Sequence, residues 1–464
     1  MTDVPVEPGW RRVGDTDGPP GDLRRQADTA RHRAAALRAG AETFQATLTD
    51  PEQQADPNLV KQLLEMHAEA EDFFQAQLPR GGAQRYLAER GIDPATQQRW
   101  SIGYAPGGWR TLTDHLRSRG YPDEAIVAGG LAKARRDGTD IFDLFRDRAI
   151  FPIRDENGRT RGFIGRAAPR SKEAQTDKYL NTPDGPIFHK DQLLFGLAEA
   201  RAALAAGARP VIVEGPLDAI AVSRAAPLRY AGMALCGTRL STHHVAALAR
   251  TAPPGAGVLT ALDSDNAGRA GMIAAYPLLA ALTRTSGQGT IDAASLPAGV
   301  DPAEILRTQS PAALADVLDQ TRPLADLVIN DVLERWDNGF TEGKLAGLRA
   351  SAEALIDMPR HEVLRQTSRL AERLEMPYQL VAETIVDTIT NADNAPKRVA
   401  RLARDLDGGP GPNPTSPQTH PAVTAIRTAF PKPITATTTQ QRGSSHTAPA
   451  PPTRRAPRGP APER

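Results

Sequence analysis

One cysteine, Cys236, occurs among 464 residues. A single thiol excludes a disulfide framework and any cysteine-rich zinc site. It lies in the apolar run Met233 to Cys236 and reads as an inert core thiol rather than a nucleophile. Net charge is lacking too. The 56 lysines and arginines against 55 aspartates and glutamates leave +1, so only local clusters can indicate partners. No apolar stretch approaches the length of a membrane span, and the first residues, with Asp3 and Glu7 and no apolar core, do not read as a secretory signal. A soluble, cytoplasmic protein is expected.

The chain is too long for a single core, so two or three folded domains are expected. Residues 1–22 are rich in proline and glycine and read as disordered. Residues 23–80 read as a helical N-terminal extension, with Leu59, Leu63, Leu64, Met66, Phe73 and Phe74 at helical spacing in its second helix. Residues 81–208 form a mixed α+β subdomain with a hairpin signal, Ala149 to Ile153 and Thr160 to Arg166 around Asp155-Glu-Asn-Gly158. Between Arg146 and Lys190 lie ten arginines and lysines interleaved with Tyr179, Asn181 and Phe188, a composition that suits a phosphate-rich partner. Charged surfaces are more often simply solvated, and Lys178 on a strand edge could equally discourage aggregation.

From residue 209 to 308 strands alternate with helices. Val211 to Val213, Ala231 to Leu235, Val258 to Leu262 and Thr290 to Leu296 are the strands, and the pattern predicts a small parallel sheet flanked by helices. Residues 309–393 read as helical throughout, with breaks near Asp337-Asn-Gly339 and Met358-Pro359. Residues 394–464, rich in Pro, Thr, Gly and Ala with a net charge of roughly +8, read as a disordered basic tail. The fold class is therefore α/β: a mixed N-terminal subdomain, a parallel sheet and a helical C-terminal subdomain.

The chemistry gathers at the ends of the strands. Val258 to Leu262 runs into Asp263-Ser-Asp265-Asn-Ala-Gly268, two carboxylates two residues apart before a long helical pattern. The same residues also make an ordinary turn. A calcium loop is excluded, because Ala267 and Ala274 stand where oxygen ligands are needed. Two further acidic places change the weighing. Val211-Ile-Val-Glu214-Gly-Pro-Leu-Asp218 ends the first strand in acid, and Gly299-Val-Asp301-Pro-Ala-Glu304 follows the last. Open α/β sheets place ligands at the carboxyl ends of their strands. Several carboxylates crowded there disfavour one another's ionisation, which a hard divalent cation relieves. Such ions can orient an attacking hydroxyl and stabilise leaving pyrophosphate.

Val-Glu214-Gly with Asp218, then Asp263-x-Asp265-x-Ala-Gly268, resembles the Toprim domain of primases, topoisomerases and some nucleases. Collinear signposts from Ala68 to Ile389 resemble bacterial DnaG-type primases. They include Tyr86-Leu-x-x-Arg-Gly91, Ile102-Gly-Tyr-Ala-Pro106 with Gly108-Trp109, Phe145-Arg-Asp-Arg148, Gly162-Phe-Ile-Gly-Arg166, Lys178-Tyr-Leu-Asn-Thr-Pro183 and Ile187-Phe-His-Lys190. The resemblance implies that Glu214, Asp263 and Asp265 are catalytic and bind Mg2+ or Mn2+ together with Asp301, with Asp218 and Glu304 in support. It implies that Arg166, Lys178, Tyr179, Asn181 and Lys190 hold a single-stranded DNA template or NTPs, in the synthesis of RNA primers for DNA replication, on a mobile element in one reading.

The sequence departs from that family at three places. The cysteine- and histidine-bearing zinc module is absent, which implies a separate zinc-module protein as partner. The family's Asp-Pro-Asp is Asp301-Pro302-Ala303 here, one carboxylate short, with Glu304 as the nearby substitute and weaker binding of a second metal expected. No segment after residue 394 resembles the module that meets the replicative helicase. A Toprim nuclease and a catalytically weak single-stranded-DNA-binding replication protein stand as the alternatives.

Overall fold

The computed structural model describes residues 55–406, apart from Thr139, residues 168–177, Cys236, Thr238, Pro254, residues 263–265, residues 287–288 and Asp357. Of the segments expected to be disordered, 1–22 and 394–464, the first and the part of the second from residue 407 lie outside the described residues, as does the extension up to residue 54. So do Asp263 and Asp265.

The first helix, α1 (Pro57–Gln77), starts where Asp56 accepts the Asn58 N–H and Pro57 supplies the first-turn φ. Helices α2 (Ala83–Glu89) and α3 (Pro94–Arg99) precede strand β1 (Gly103–Ala105). Then come α4 (Thr111–Ser118), α5 (Asp123–Ala128) and the small hairpin β2 (Ala132–Ala134) and β3 (Ile141–Asp143). The long hairpin β4 (Arg148–Arg154) and β5 (Thr160–Ala167) closes through Gly158 at φ +80°, with Asp155 accepting the N–H groups of Asn157 and Arg159. With β6 (Tyr179–Asn181) these strands form an antiparallel sheet in the order β1-β4-β5-β6.

Strand β7 (Leu194–Phe195) and α6 (Leu197–Ala205) lead into the second sheet. There β8 (Arg209–Val213), α7 (Pro216–Ala225), β9 (Tyr230–Leu235), α8 (Thr242–Thr251), β10 (Val258–Thr260), α9 (Asn266–Ser286) and β11 (Ile291–Ala294) alternate. After α10 (Pro302–Thr308) and α11 (Pro311–Asp319), a short strand β12 (Thr321–Pro323) rejoins the sheet. Its order is β12-β11-β10-β8-β9-β7. The four inner strands are parallel as expected, and the two edges are antiparallel. The stretch read as helical throughout is therefore interrupted by β12, before α12 (Leu324–Glu334), α13 (Thr341–Leu355), α14 (Arg360–Leu374) and α15 (Tyr378–Leu406). Helix α15 runs past the tail boundary set at 394. Val399, Leu402 and Leu406 keep helical spacing there, which the surrounding basic composition obscures.

Strand alternation sorts the core into layers. Ile212, Met233 and Ile291 point to one face of the large sheet and pack with α6, α8, α9 and α12 to α15. Val211, Val213 and Leu259 point to the other, and meet Ala149, Phe151 and Ile153 of β4 in a common cluster. The opposite face of β4 and β5, with Ile150 and Phe163, buries Phe74, Met66 and Leu63 of α1. Helix α1 is thus not an extension. It forms the outer layer of the first subdomain, and Phe74 meets Phe163 edge-on at 5.4 Å. Among the described residues no helix is long and apolar enough to cross a membrane.

Candidate metal and nucleic-acid site

Register brings the acidic places to one edge. Leu259 and Thr260 pair with Val211 and Ile212, and the Ala261 N–H donates to Ile212 O at 2.8 Å. The chain therefore leaves β8 at Glu214 and β10 just before Asp263 from neighbouring strand ends. Glu214 is exposed. Asp218, in the first turn of α7, is buried, and its Oδ1 accepts the Ala303 N–H at 3.2 Å. That bond ties the start of α10 to α7. Asp218 thereby holds the third acidic place in position. Asp301 caps α10, its Oδ1 accepting the Glu304 N–H at 2.6 Å.

Glu304 does not turn toward the other acids. Its carboxylate is clasped by Arg307, with Nε at 2.9 Å from Oε2, and that guanidinium holds it below the usual carboxylate range. The expected substitute for the acid missing at Ala303 is committed elsewhere. Among the described residues no three carboxylates or imidazoles close on one metal-sized point. The pair that would complete such a set, Asp263 and Asp265, lies outside them. The oxygen donors at these strand ends are of the type hard divalent ions take.

The basic face adjoins this edge. Arg166, on β5, is buried, with its guanidinium 4.8 Å from the Tyr179 ring and 5.4 Å from that of Tyr86. Its Nη1 donates to Ala167 O at 2.9 Å, and its buried Nε has no hydrogen-bond partner among the described residues. A planar cation held between two aromatic rings is fixed in direction, which Lys could not reproduce. Tyr179 meets the acidic edge. A Cβ built on Gly215 would stand 3.7 Å from its hydroxyl and 3.0 Å from Asp218 Oδ2. Burial raises the Tyr86 phenol above its ordinary pKa, Arg166 and Arg90 oppose this, and Asp301 is near enough to add to the rise. Lys178 and Lys190 are exposed and Asn181 is half-buried. All five residues of the expected basic set lie on β6, at the end of β5 or in the loops beside them.

Two partners escaped the sequence reading. In the sequence Tyr86 marks only the family resemblance, and in the structure it is the second ring against Arg166. Trp109 is 60% exposed, with the Arg146 guanidinium 4.2 Å from its ring and Phe142 at 5.6 Å. A tryptophan in the turn Pro106-Gly-Gly-Trp109, beside a basic run, was the available signal.

The family described as DNA primase catalytic core, N-terminal domain, matches residues 73–201, and the Toprim-like family matches 211–306. The DNA primase of Streptomyces coelicolor is 31% identical over 369 residues, covering 77% of this chain and 53% of that protein. That of Deinococcus radiodurans is 34% identical over 286 residues, 61% of this chain and 47% of that protein. The chain spans about half the length of the curated relatives it matches. A solved DNA primase domain from Pseudomonas aeruginosa aligns with TM-score 0.59 and 29% identity over 70% of this chain and 99% of that one. A DnaG primase catalytic domain bound to single-stranded DNA aligns with TM-score 0.59 and 28% identity over 69% and 98%. A Toprim-like sheet joined to a primase-core domain is the class that fold and site define. The chain belongs to the DnaG-type primase family and contains its catalytic core. Membership implies a site that works with divalent metal.

Proposed function

We propose that the chain synthesises short RNA primers on single-stranded DNA by nucleotidyl transfer, with Mg2+ or Mn2+ at Glu214, Asp263, Asp265 and Asp301. The observation that carries this reading is the seam between the two halves. Tyr179 sets its hydroxyl against Gly215, so the basic edge strand and the carboxylate end of β8 lie side by side. When bound, the cation would lower the barrier to attack by a primer 3′-hydroxyl and neutralise the departing pyrophosphate. Arg166, aimed by its two tyrosines, fits a phosphate as a rigid fork. Lys178 and Lys190 supply diffuse positive charge to template or triphosphate, and Asn181 a neutral donor beside them. Trp109 with Arg146 offers a base a stacking face. A separate zinc-module protein and a replicative helicase would complete the machinery.

A second reading rests on Ala303 and on the Arg307 clasp of Glu304: a protein that engages template and polymerises poorly. Purified protein with single-stranded DNA, NTPs and either cation separates these. Labelled oligoribonucleotides that disappear in Glu214→Ala and Asp263→Ala support primer synthesis. Template retention without product supports the second reading, and cleaved DNA a Toprim nuclease. Normal synthesis by Glu214→Ala and Asp265→Ala would remove the site assignment.

A further inference from the structure

The turn between β9 and α8 lies at the carboxyl end of the large sheet, on the strand next to β8, and it reaches the basic residues twice. Gly237, at φ +76°, sits where a Cβ would stand 3.4 Å from Asn181 Nδ2. A few residues on, His244 occupies the third position of α8 and is fully buried. Its Nδ1 accepts the Ser241 N–H at 3.1 Å, while Ser241 Oγ accepts the His244 N–H at 3.1 Å, a reciprocal capping box. An Nδ1 that accepts leaves the proton on Nε2, and Nε2 faces Lys190 O at 3.3 Å. Burial holds the imidazole neutral, its pKa lowered to about 4. Ser241 Oγ also donates to Asp191 O, and the Lys190 N–H donates to Asp184 Oδ1 at 3.0 Å. The backbone on both sides of Lys190 is therefore fastened while its side chain stays exposed.

We infer that His244 is a positioning residue for template binding: through its bond to the Lys190 carbonyl it fixes where the Lys190 ammonium stands relative to the sheet that carries the acids. A helix cap alone does not require this histidine. Glutamate at the third helical position completes a capping box equally well, but its carboxylate accepts the Ser241 N–H and has no proton to give the Lys190 carbonyl. The inference rests on the reading that Lys190 contacts template.

The test measures binding of a fluorescein-labelled single-stranded oligodeoxynucleotide by anisotropy, at fixed salt, to the full chain and to His244→Glu, Lys190→Ala and the double variant. Melting temperature checks that His244→Glu keeps its fold, and His244→Leu, which has neither charge nor donor, provides a second substitution if it does not. Loss of one hydrogen bond's worth of positioning predicts Kd raised about three- to tenfold in His244→Glu. In the Lys190→Ala background the same change should alter Kd less than about twofold, because the group it positions is gone. Unchanged Kd in both folded His244 variants, or an equal loss with and without Lys190, would overturn the inference. If Lys190→Ala itself binds as tightly as the parent, the underlying template reading fails instead.

Discussion

His67 offers a direct way to weigh the first subdomain's packing against proton binding. It lies fully buried on α1, its Nε2 2.8 Å from Gly129 O and its ring 5.5 Å from that of Phe163. Nδ1 has no hydrogen-bond partner among the described residues. Burial above all, with Arg161 nearby, lowers the pKa from 6.5 to about 4. The folded pKa lies below the unfolded one, so the contribution is complete above pH 6.5 and is lost as pH falls toward 4. Linkage sets its size: about 1.4 kcal/mol per pH unit across that window gives about 3 kcal/mol. His67→Gln keeps a donor for Gly129 O but has no titrating ring. Urea unfolding at several pH values between 7 and 4 should therefore show the parent losing about 3 kcal/mol more than the variant. NMR of 13C-labelled histidine should find His67 unmoved down to pH 5. Parallel pH dependences, or a His67 resonance titrating near 6.5, would refute the argument.

Two other perturbations test different layers. Arg154 joins Glu71 of α1 to Glu199 of α6, all three side chains largely buried. Arg154→Met should cost about 3–5 kcal/mol by stranding two carboxylates, and adding Glu71→Leu with Glu199→Leu should restore most of it; chemical unfolding that finds the single variant unharmed would dismiss the network. Gly232→Ala drives a methyl to 2.2 Å from the Ala219 carbonyl oxygen, backbone that cannot swing aside, and should lower stability by at least about 2 kcal/mol in the same assay.

The parallel strands were legible because each is an apolar run ended by glycine, proline or acid, as at Val213-Glu214-Gly215. The hairpin of β4 and β5 was legible through its Asp-Glu-Asn-Gly turn. Strands β7 and β12 were not, since two or three residues carry no period and pair only because partner edges await them. The burial of α1 was hidden for a related reason. Its apolar stripe announces a helix without saying which sheet receives it. In the site, the acidic places and the basic stretch could be read from spacing, and their order in the sheet follows from register. That Asp218 would anchor Ala303, or that Arg307 would claim Glu304, could not. Each depends on which neighbours tertiary packing supplies to a carboxylate.

The cluster shared by β4 and the large sheet has a consequence for how such proteins can be recombined. Phe151 and Ile153 sit in the same apolar mass as Val211, Val213 and Leu259. A chimera spliced near residue 208, taking its two halves from different family members, would join interlocking surfaces selected in separate lineages. Substitutions along this boundary are therefore expected to be exchanged in matched sets, and the two halves to be inherited as one unit of descent.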